Sequence, residues 1–436
     1  MQRVRTRKSM TKPRTLLSML LLCAMFFAFG FVTWVNAILI PFFKTAFELD
    51  HFTSYLVAFA FYISYLVISL PAAHLLKKRG FKTGMSLGFW IMATGTALFI
   101  PAAYFKQYSI FLLALLVIGT GLAIVQTAVN PYVTLLGKQE HAARRISIMG
   151  ICNKVAGIIA PVFLGSFIFL NKDQHFIDAL HHMQPAAKEV FLAGFIRRVI
   201  PPYIAVSVVL VALGTLVRFP ILPEIEVQAR DGQASSPQKI IHYPYLILGA
   251  LAIFFHVGSQ VVAIDTVISY TRDMGLPIEK ARYFPSAVLF MTICGYFLGI
   301  IFVPWKFSQL MALRICSILG LTISLLVLLC HSQIMLWRYT LSASVIFIPM
   351  LGLANSMIWA CIWPLSLDRL GDKVRVGSSL LIMGLCGNAI MPLIYGYLAD
   401  RIGLQNAYII LLPCYTYLVF FALRGYKLNT WKLRNN

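Results

Sequence analysis

Two amides, Gln126 and Asn130, stand four residues apart in the stretch Gln126-Thr127-Ala128-Val129-Asn130-Pro131-Tyr132, inside an apolar run from about Ser109 to Leu136. Side chains at that spacing share a helix face, and the run is long enough to cross a bilayer. An amide turned to lipid loses its water without replacement, so the pair is expected to face a wet cavity or another helix. An uncharged group that both donates and accepts hydrogen bonds suits a hydroxyl-rich solute. That chemistry points to a carrier of a neutral, sugar-like molecule. The alternative for any one buried amide is an interhelix hydrogen bond that only holds a bundle together.

Three other apolar runs carry polar side chains of comparable interest. In the tenth, Asn355, Trp359 and Trp363 follow one another at i+4 spacing; a sugar has apolar C–H faces and polar rims, so indoles beside an amide suit one, whereas an interfacial aromatic belt is the plainer reading. In the seventh, His256 and Gln260 share a face and Asp265 lies well round from them. A lone carboxylate in a membrane helix is costly unless paired, hydrated or protonated, which makes Asp265 a candidate for cation or proton coupling. Its place toward the outer end also fits a partly solvated gate residue or a helix–helix ligand. His256, nearer the middle, titrates in a range suited to proton exchange, or is a satisfied hydrogen-bonding group. In the fifth, Asn153 shares a face with Gly150, Gly157 and Pro161, a small-residue surface that lets another helix approach. Lys154, about 100° round the helix, answers a substrate carboxylate, neutralises an acid such as Asp265, or snorkels to the cytoplasmic boundary.

These residues sit in a chain of 436 residues that is 59% hydrophobic and 12% charged, with a mean hydropathy of +0.80. Such a composition is that of an integral membrane protein. The formal charge of +22 does not mark a nucleic-acid binder, because the basic residues fall at the ends of apolar runs and in the short connections between them. Lipid headgroups and topology account for them. All eight cysteines lie within or at the edge of apolar segments, with no CxxC or Cys/His spacing, so neither disulfides nor a metal site is expected. Catalytic signatures are missing too: there is no GxxxxGK, GxSxG or HExxH, and too few intramembrane acids for a carboxylate pair. The chain is not expected to be an enzyme or to hold a cofactor.

Apolar runs of about 20 residues between charged or Pro/Gly-marked breaks give twelve expected membrane helices. They lie near 15–43, 52–76, 84–103, 109–136, 144–170, 203–220, 244–271, 283–304, 309–330, 338–366, 375–399 and 405–424. The first is too long for a signal-peptide core and reads as an uncleaved helix behind a basic leader, 1–14. The leader, the second loop (Lys77, Lys78, Arg79, Lys82), the fourth (Lys138, Arg144, Arg145) and the tail, 425–436, share one side and are strongly basic. The positive-inside rule then puts both termini in the cytoplasm. The segment from Asn171 to Pro202 fits less well, since it would lie outside yet carries Lys172, Lys188, Arg197 and Arg198.

A polar linker at 221–243 separates an expected first bundle, 15–220, from a second, 244–424. An internal repeat supports that division. The stretches Pro131 to Gly137, Ile148-Met149-Gly150-Ile151-Cys152 and Pro161 to Gly165 recur as Pro364 to Gly371, Ile382-Met383-Gly384-Leu385-Cys386 and Pro392 to Gly396, at offsets of about 231 to 234 residues. Two halves of like topology are what alternating-access carriers rock about a central site. The fold class expected is therefore all-α integral membrane, with twelve transmembrane helices in two six-helix bundles.

Several stretches resemble the fucose:proton symporter family of the major facilitator superfamily, in particular its bacterial glucose/galactose and N-acetylglucosamine permease branch. They are Phe29-Gly30-Phe31-Val32-Thr33-Trp34-Val35-Asn36 with Ile40-Pro41, the Gln126 to Tyr132 stretch, and Arg145 through Lys154. Val257-Gly258 with Asp265-Thr266, and Ile362-Trp363-Pro364-Leu365 followed by Gly377-Ser378, extend the similarity over about residues 20 to 420. The resemblance implies the major facilitator fold and cation-driven uptake of a monosaccharide across a bacterial inner membrane. It also marks two departures: fucose transporters of this family carry acids where this chain has Ala37 and Gln126. Coupling must then run through other groups such as Asp265 or His256, use sodium, or be absent.

The reading as a whole is a monomeric, multi-pass sugar carrier whose only partners are its sugar, the bilayer and a coupling ion, proton or sodium. Asn36, Gln126, Asn130 and Asn153 of the first half and Gln260, Asn355, Trp359 and Trp363 of the second are expected to surround the sugar. Asp265, His256 and Lys154 are the coupling candidates. An efflux carrier of the same fold and a non-transporting sugar sensor are the competing classes.

Overall fold

The computed structural model describes residues 12–135, 142–169, 184–220, 222, 243–302, 308–336, 338–367 and 374–428. Of the expected leader, linker and tail, residues 1–11, 221, 223–242 and 429–436 lie outside those described. Within the described chain, twelve helical spans are long and apolar enough to cross a membrane, from Leu17–Ala46 to Leu404–Leu423. Helices are what such sequences must form there, because hydrocarbon offers no partner to a backbone N–H or C=O.

The first half runs α1 (Lys12–Trp34), α2 (Asn36–Ala46), α3 (His51–Tyr62), α4 (Ser64–Ala97), α5 (Phe99–Phe105), α6 (Tyr108–Leu135), α7 (Ala142–Ile168), α8 (Pro185–Arg197) and α9 (Ile200–Leu216). The second runs α10 (Pro244–Asp265), α11 (Val267–Asp273), α12 (Ile278–Ala281), α13 (Tyr283–Phe302) and α14 (Gln309–Leu329). A hairpin of β1 (Gln333–Leu336) and β2 (Tyr339–Ser342) follows, then α15 (Ser344–Asn355), α16 (Ile358–Leu367), α17 (Val374–Met383), α18 (Gly387–Ile402), α19 (Leu404–Ala407) and α20 (Leu411–Leu423).

By packing, the chain forms two compact units. The first comprises Met1–Asn36, Thr45–Phe47 and Ile63–Gln233; the second takes Ala37–Lys44 and Glu48–Tyr62 together with Ala234–Asn436. Inside the first, α1 packs on α7, while α4 lies along α6 and carries α9 on its flank. Gly80, at φ 77°, turns the chain within α4 between the second and third spans, a conformation that glycine adopts without a Cβ penalty. Inside the second, α10 is central, against α16, α18 and α20, and α3 lies along α18.

Two boundaries differ from expectation. The sixth span begins at Pro185 and not near 203, because Pro201 and Pro202 open α9 at positions where a helix has no use for their missing N–H groups. Two of the basic residues that fitted badly outside, Arg197 and Arg198, find partners there. Arg198 Nη1 donates to the Ile168 carbonyl at the end of α7 (3.1 Å), Arg197 lies over the Tyr104 ring (5.3 Å), and Lys106 pairs with Glu189 beside Lys188 (3.2 Å). Lys172 lies outside the described residues. The tenth span starts at Ser344 and not 338, since Gln333–Leu336 and Tyr339–Ser342 pair antiparallel around a turn in which Arg338 takes φ 71°.

Of the spans that break inside their length, three carry a polar candidate at the break: at Val35 between α1 and α2, at Thr266 between α10 and α11, and at Ser356–Met357 between α15 and α16. Positions 35 and 266 are related by the same offset as the sequence repeat. Discontinuous helices of this kind free backbone groups and usually line the working part of a carrier. Each break here is flanked by one polar candidate: Asn36, Asp265 or Asn355.

The start of α3 is capped from two sides. His51 N and Phe52 N donate to the Asp400 carboxylate of α18 (2.9 and 2.7 Å), and Thr53 N donates to Asp50 (2.8 Å). Hydrogen bonding from Thr53 holds the Asp50 carboxyl below its usual range, so that half of the cap persists at neutral pH and is lost as pH falls through the lowered value. Asp400→Ala is expected to cost about 1 kcal/mol. It should appear as faster amide exchange at His51 and Phe52; unaltered exchange there would show that Asp400 does not hold this helix end.

Candidate functional site

In the first unit, the candidate side chains collect where α1 crosses α7 and where α4 meets α6. Gly30 makes the first crossing close: a Cβ there would lie 2.6 Å from the Asn153 carbonyl oxygen and its side-chain nitrogen. The small-residue surface expected around Asn153 is thus supplied by α1, whereas a Cβ on Gly150 would meet nothing within 4 Å. Asn153 Oδ1 accepts from Trp34 Nε1 at 3.2 Å, and the face of the same indole lies 4.2 Å from Lys154 Nζ. Lys154 is buried, 7% exposed. It therefore does not snorkel to the boundary, and its charge is met by an aromatic face.

Gln126 is half-buried on α6 and hydrogen-bonds Tyr65 of α4. Asn130 lies one turn further along the same helix; its side chain is outside the described ones. Asn36 opens α2 immediately after the break at Val35 and is fully buried. Neither its amide nitrogen nor its amide oxygen has a hydrogen-bond partner among the described residues. A dehydrated amide without partners costs free energy in the resting protein, which is the mark of a group kept for something that comes and goes.

In the second unit the stripe expected along the tenth helix is divided. Asn355 ends α15, and its Oδ1 accepts from Tyr415 of α20 (3.1 Å), with Ser259 of α10 at 3.5 Å. Its amide nitrogen is buried without a partner among the described residues. Trp359 and Trp363 belong to α16, beyond the turn, and pack against each other with ring centroids 5.5 Å apart and planes inclined at 56°. The indole nitrogen of Trp363 is likewise buried and unpartnered among the described residues. Gln260 is half-buried on α10. His256 is 2% exposed and engaged with its surroundings. Asp265, for which a partly solvated gate residue was one of the readings, is completely buried.

The first unit sets the Trp34 indole beside the Asn153 amide, and the second carries the paired indoles of α16, groups suited to a neutral polyol. An apolar pocket of the first unit, lined by Phe31, Val32, Val35, Leu164, Tyr203 and others, contains none of the candidate residues and has little to offer a hydroxyl-rich solute. Among the described residues no three His, Cys, Asp or Glu side chains could hold a metal ion together.

The family model of the Major Facilitator Superfamily matches residues 20–386. The chain belongs to the major facilitator superfamily. It is similar to a glucose/galactose transporter of Brucella abortus, 33% identical over 93% of each chain. It also resembles the L-fucose-proton symporter of Escherichia coli, 28% identical over 92% of this chain and 91% of the relative. The solved structure of FucP, a superfamily transporter in the outward conformation, superposes with a TM-score of 0.70 at 26% identity, covering 94% of this chain and 98% of that one. As a superfamily member the protein is a transporter and not an enzyme.

The carrier's geometry adds residues that its sequence did not single out by role. Trp34 serves both Asn153 and Lys154, Tyr65 serves Gln126, and Tyr415 serves Asn355. Each pair joins two helices. Periodicity within one helix carries no signal for such pairs.

Proposed function

We propose that this carrier takes up a neutral monosaccharide, such as glucose, galactose or N-acetylglucosamine, by proton symport across a bacterial inner membrane. The names of its relatives supply the solute class and, from the fucose relative, the ion. The observation that carries the reading is the buried, unpartnered amide of Asn36 at a helix break, in a unit whose other amides, Gln126 and Asn153, sit beside Tyr65 and Trp34. Asn36, Gln126, Asn130 and Asn153 bind sugar hydroxyls from the first unit; Gln260, Asn355, Trp359 and Trp363 contribute from the second. Transport follows by alternating access, with the bound ion biasing which state of the empty carrier is populated. The basic loops and termini support, by the positive-inside rule, an orientation with both ends of the carrier in the cytoplasm.

The test is counterflow in proteoliposomes preloaded with unlabelled glucose, galactose, fucose, mannose or N-acetylglucosamine. Accelerated entry of one labelled sugar is expected, stimulated by an inward proton gradient and indifferent to sodium. Trp359→Ala and Trp363→Ala should each raise the half-saturating sugar concentration roughly tenfold, the worth of one aromatic contact. Absence of counterflow with every sugar, in folded protein, would reject the reading and favour export or sensing. Unaltered saturation in both tryptophan variants would remove α16 from the site.

A further inference from the structure

Asp265 is the last residue of α10, and the chain turns at Thr266 before resuming as α11. Its side chain has no solvent exposure, and neither carboxyl oxygen has a hydrogen-bond partner among the described residues. Its surroundings are built largely from hydroxyls and aromatic rings. Thr266 Oγ1 donates to the Val262 carbonyl (2.7 Å) and is hydrogen-bonded to Tyr408 Oη (2.8 Å). The Tyr408 ring packs on Tyr395 (5.0 Å), whose ring meets Tyr55 of α3 edge-on (5.6 Å, 89°). Tyr55 Oη lies beside Ser269 Oγ and within electrostatic reach of Asp265 and Asp400, yet among the described residues neither hydroxyl makes a well-formed hydrogen bond.

An ionised carboxylate left without donors in such a place is strongly disfavoured, whereas a neutral carboxylic acid is tolerated. The ionisable groups brought to this region are Tyr55 and His51 on α3, Lys44 on α2, Tyr270, Arg272 and Asp273 on α11, Tyr395 and Asp400 on α18, and Tyr408 just after α19. The α15 helix contributes none, and His256 stands about two and a half turns back along α10. None of the cations forms an ion pair with Asp265 among the described residues. Lys44 Nζ instead lies 3.0 Å from His51 Nδ1. Tyr55 of α3 is within electrostatic reach of Asp265, its ring joins the Tyr395–Tyr408–Thr266 chain beside it, and the start of α3 is tied to Asp400.

We propose that Asp265 is the proton carrier of this symporter and that α3, through Tyr55, is the cover that seats only over the protonated carboxyl. This rests on the symport reading above. A proton from outer water adds to the exposed carboxylate, α3 seats against α18, and the proton leaves to inner water once the carboxyl is uncovered on that side. The site replaces, at another position, the two acids that resemblance to fucose transporters would place at Ala37 and Gln126. A carrier whose Asp265 is charged cannot close α3, so the sugar does not cross without the proton.

The experiment uses Asp265→Asn, which keeps the shape of the protonated side chain. With one proton per sugar, one unit of pH gradient concentrates the sugar up to roughly tenfold in the parent protein. The variant should retain galactose or glucose counterflow, lose that accumulation entirely, and bring no proton with the sugar into vesicles loaded with a pH-sensitive dye. Amide exchange across 51–62, corrected for the intrinsic effect of pH, should show α3 opening in the parent as pH rises from mildly acid to mildly alkaline, and staying protected in Asp265→Asn. His51→Gln should leave that pH response in place, which separates Asp265 from titration at the outer end.

Gradient-driven accumulation by Asp265→Asn, or loss of the α3 response in His51→Gln, would overturn the proposal. So would accumulation by the parent that follows sodium and not protons. If Asp265→Asn does not fold, the parent's exchange decides alone, and equal protection of α3 at both pH values overturns it. Failure of the parent to counterflow any sugar would instead reject the transport reading on which the proposal rests.

Discussion

Asn36→Leu is expected to abolish sugar uptake, by about a hundredfold or more, while leaving the carrier as stable as the parent or slightly more so. The two halves of that expectation come from one observation. Asn36 is fully buried and its amide has no partner among the described residues, so the folded protein bears the desolvation cost of a donor and an acceptor and gains no hydrogen bond from either. Leucine of similar size removes that cost. Binding, by contrast, loses two hydrogen bonds that no other group is placed to supply, and a site built to meet a hydroxyl discriminates steeply when its own polar group is removed. Gln126→Ala should also stop uptake, but with some loss of stability, because Gln126 hydrogen-bonds Tyr65 and its removal disturbs the contact of α4 with α6. Thermal unfolding in detergent and labelled-sugar uptake in proteoliposomes separate these outcomes. If Asn36→Leu transports normally, the amide is a packing residue; if it is inactive but strongly destabilised, the loss of uptake says nothing about the site.

The fold was legible because lipid leaves a chain few options. Twelve apolar runs became twelve spans, and the residues that blurred the edges did so for identifiable reasons. Pro201 and Pro202 read as a break and instead begin α9. Residues 338 to 343 run on into the tenth apolar stretch, yet Tyr339–Ser342 pair as a short strand with Gln333–Leu336. The site was legible only in part. Residue type proposed Asn36, Gln126, Asn153, Asn355 and the α16 tryptophans, since an amide or indole in a membrane helix needs a reason. Spacing did not foresee the break: a turn at Ser356–Met357 lies between Asn355 and Trp359. Asp265 shows the same limit from the other side. Its position along α10 also fitted partial solvation, yet it is completely buried, with Tyr55 of α3, about 200 residues away in the chain, within electrostatic reach.

Trp34 offers the sharpest test of the first unit, because three elements lean on one side chain. Its ring faces the Lys154 ammonium at 4.2 Å, its Nε1 donates to Asn153 at 3.2 Å, and it is 5% exposed just before the break that leads to Asn36. Trp34→Ala should cost about 3–5 kcal/mol of stability, from the lost volume alone. Stranding Lys154 adds to this, since a buried ammonium deprived of its aromatic face has nothing to offset its desolvation. Adding Lys154→Met to Trp34→Ala should therefore recover part of the loss, although Lys154→Met alone removes a favourable contact. That recovery is the signature of an interaction between the two residues and not of two independent defects. Trp34→Phe keeps the ring and removes only the N–H, so it should fold with a loss near 1 kcal/mol. It nonetheless frees Asn153 to turn away from the position in which Trp34 holds it, so the half-saturating sugar concentration should rise while the maximal rate changes little. A Trp34→Phe carrier with unchanged saturation would show that the indole N–H does not orient Asn153 for sugar, and that the contact serves only to fasten α1 to α7.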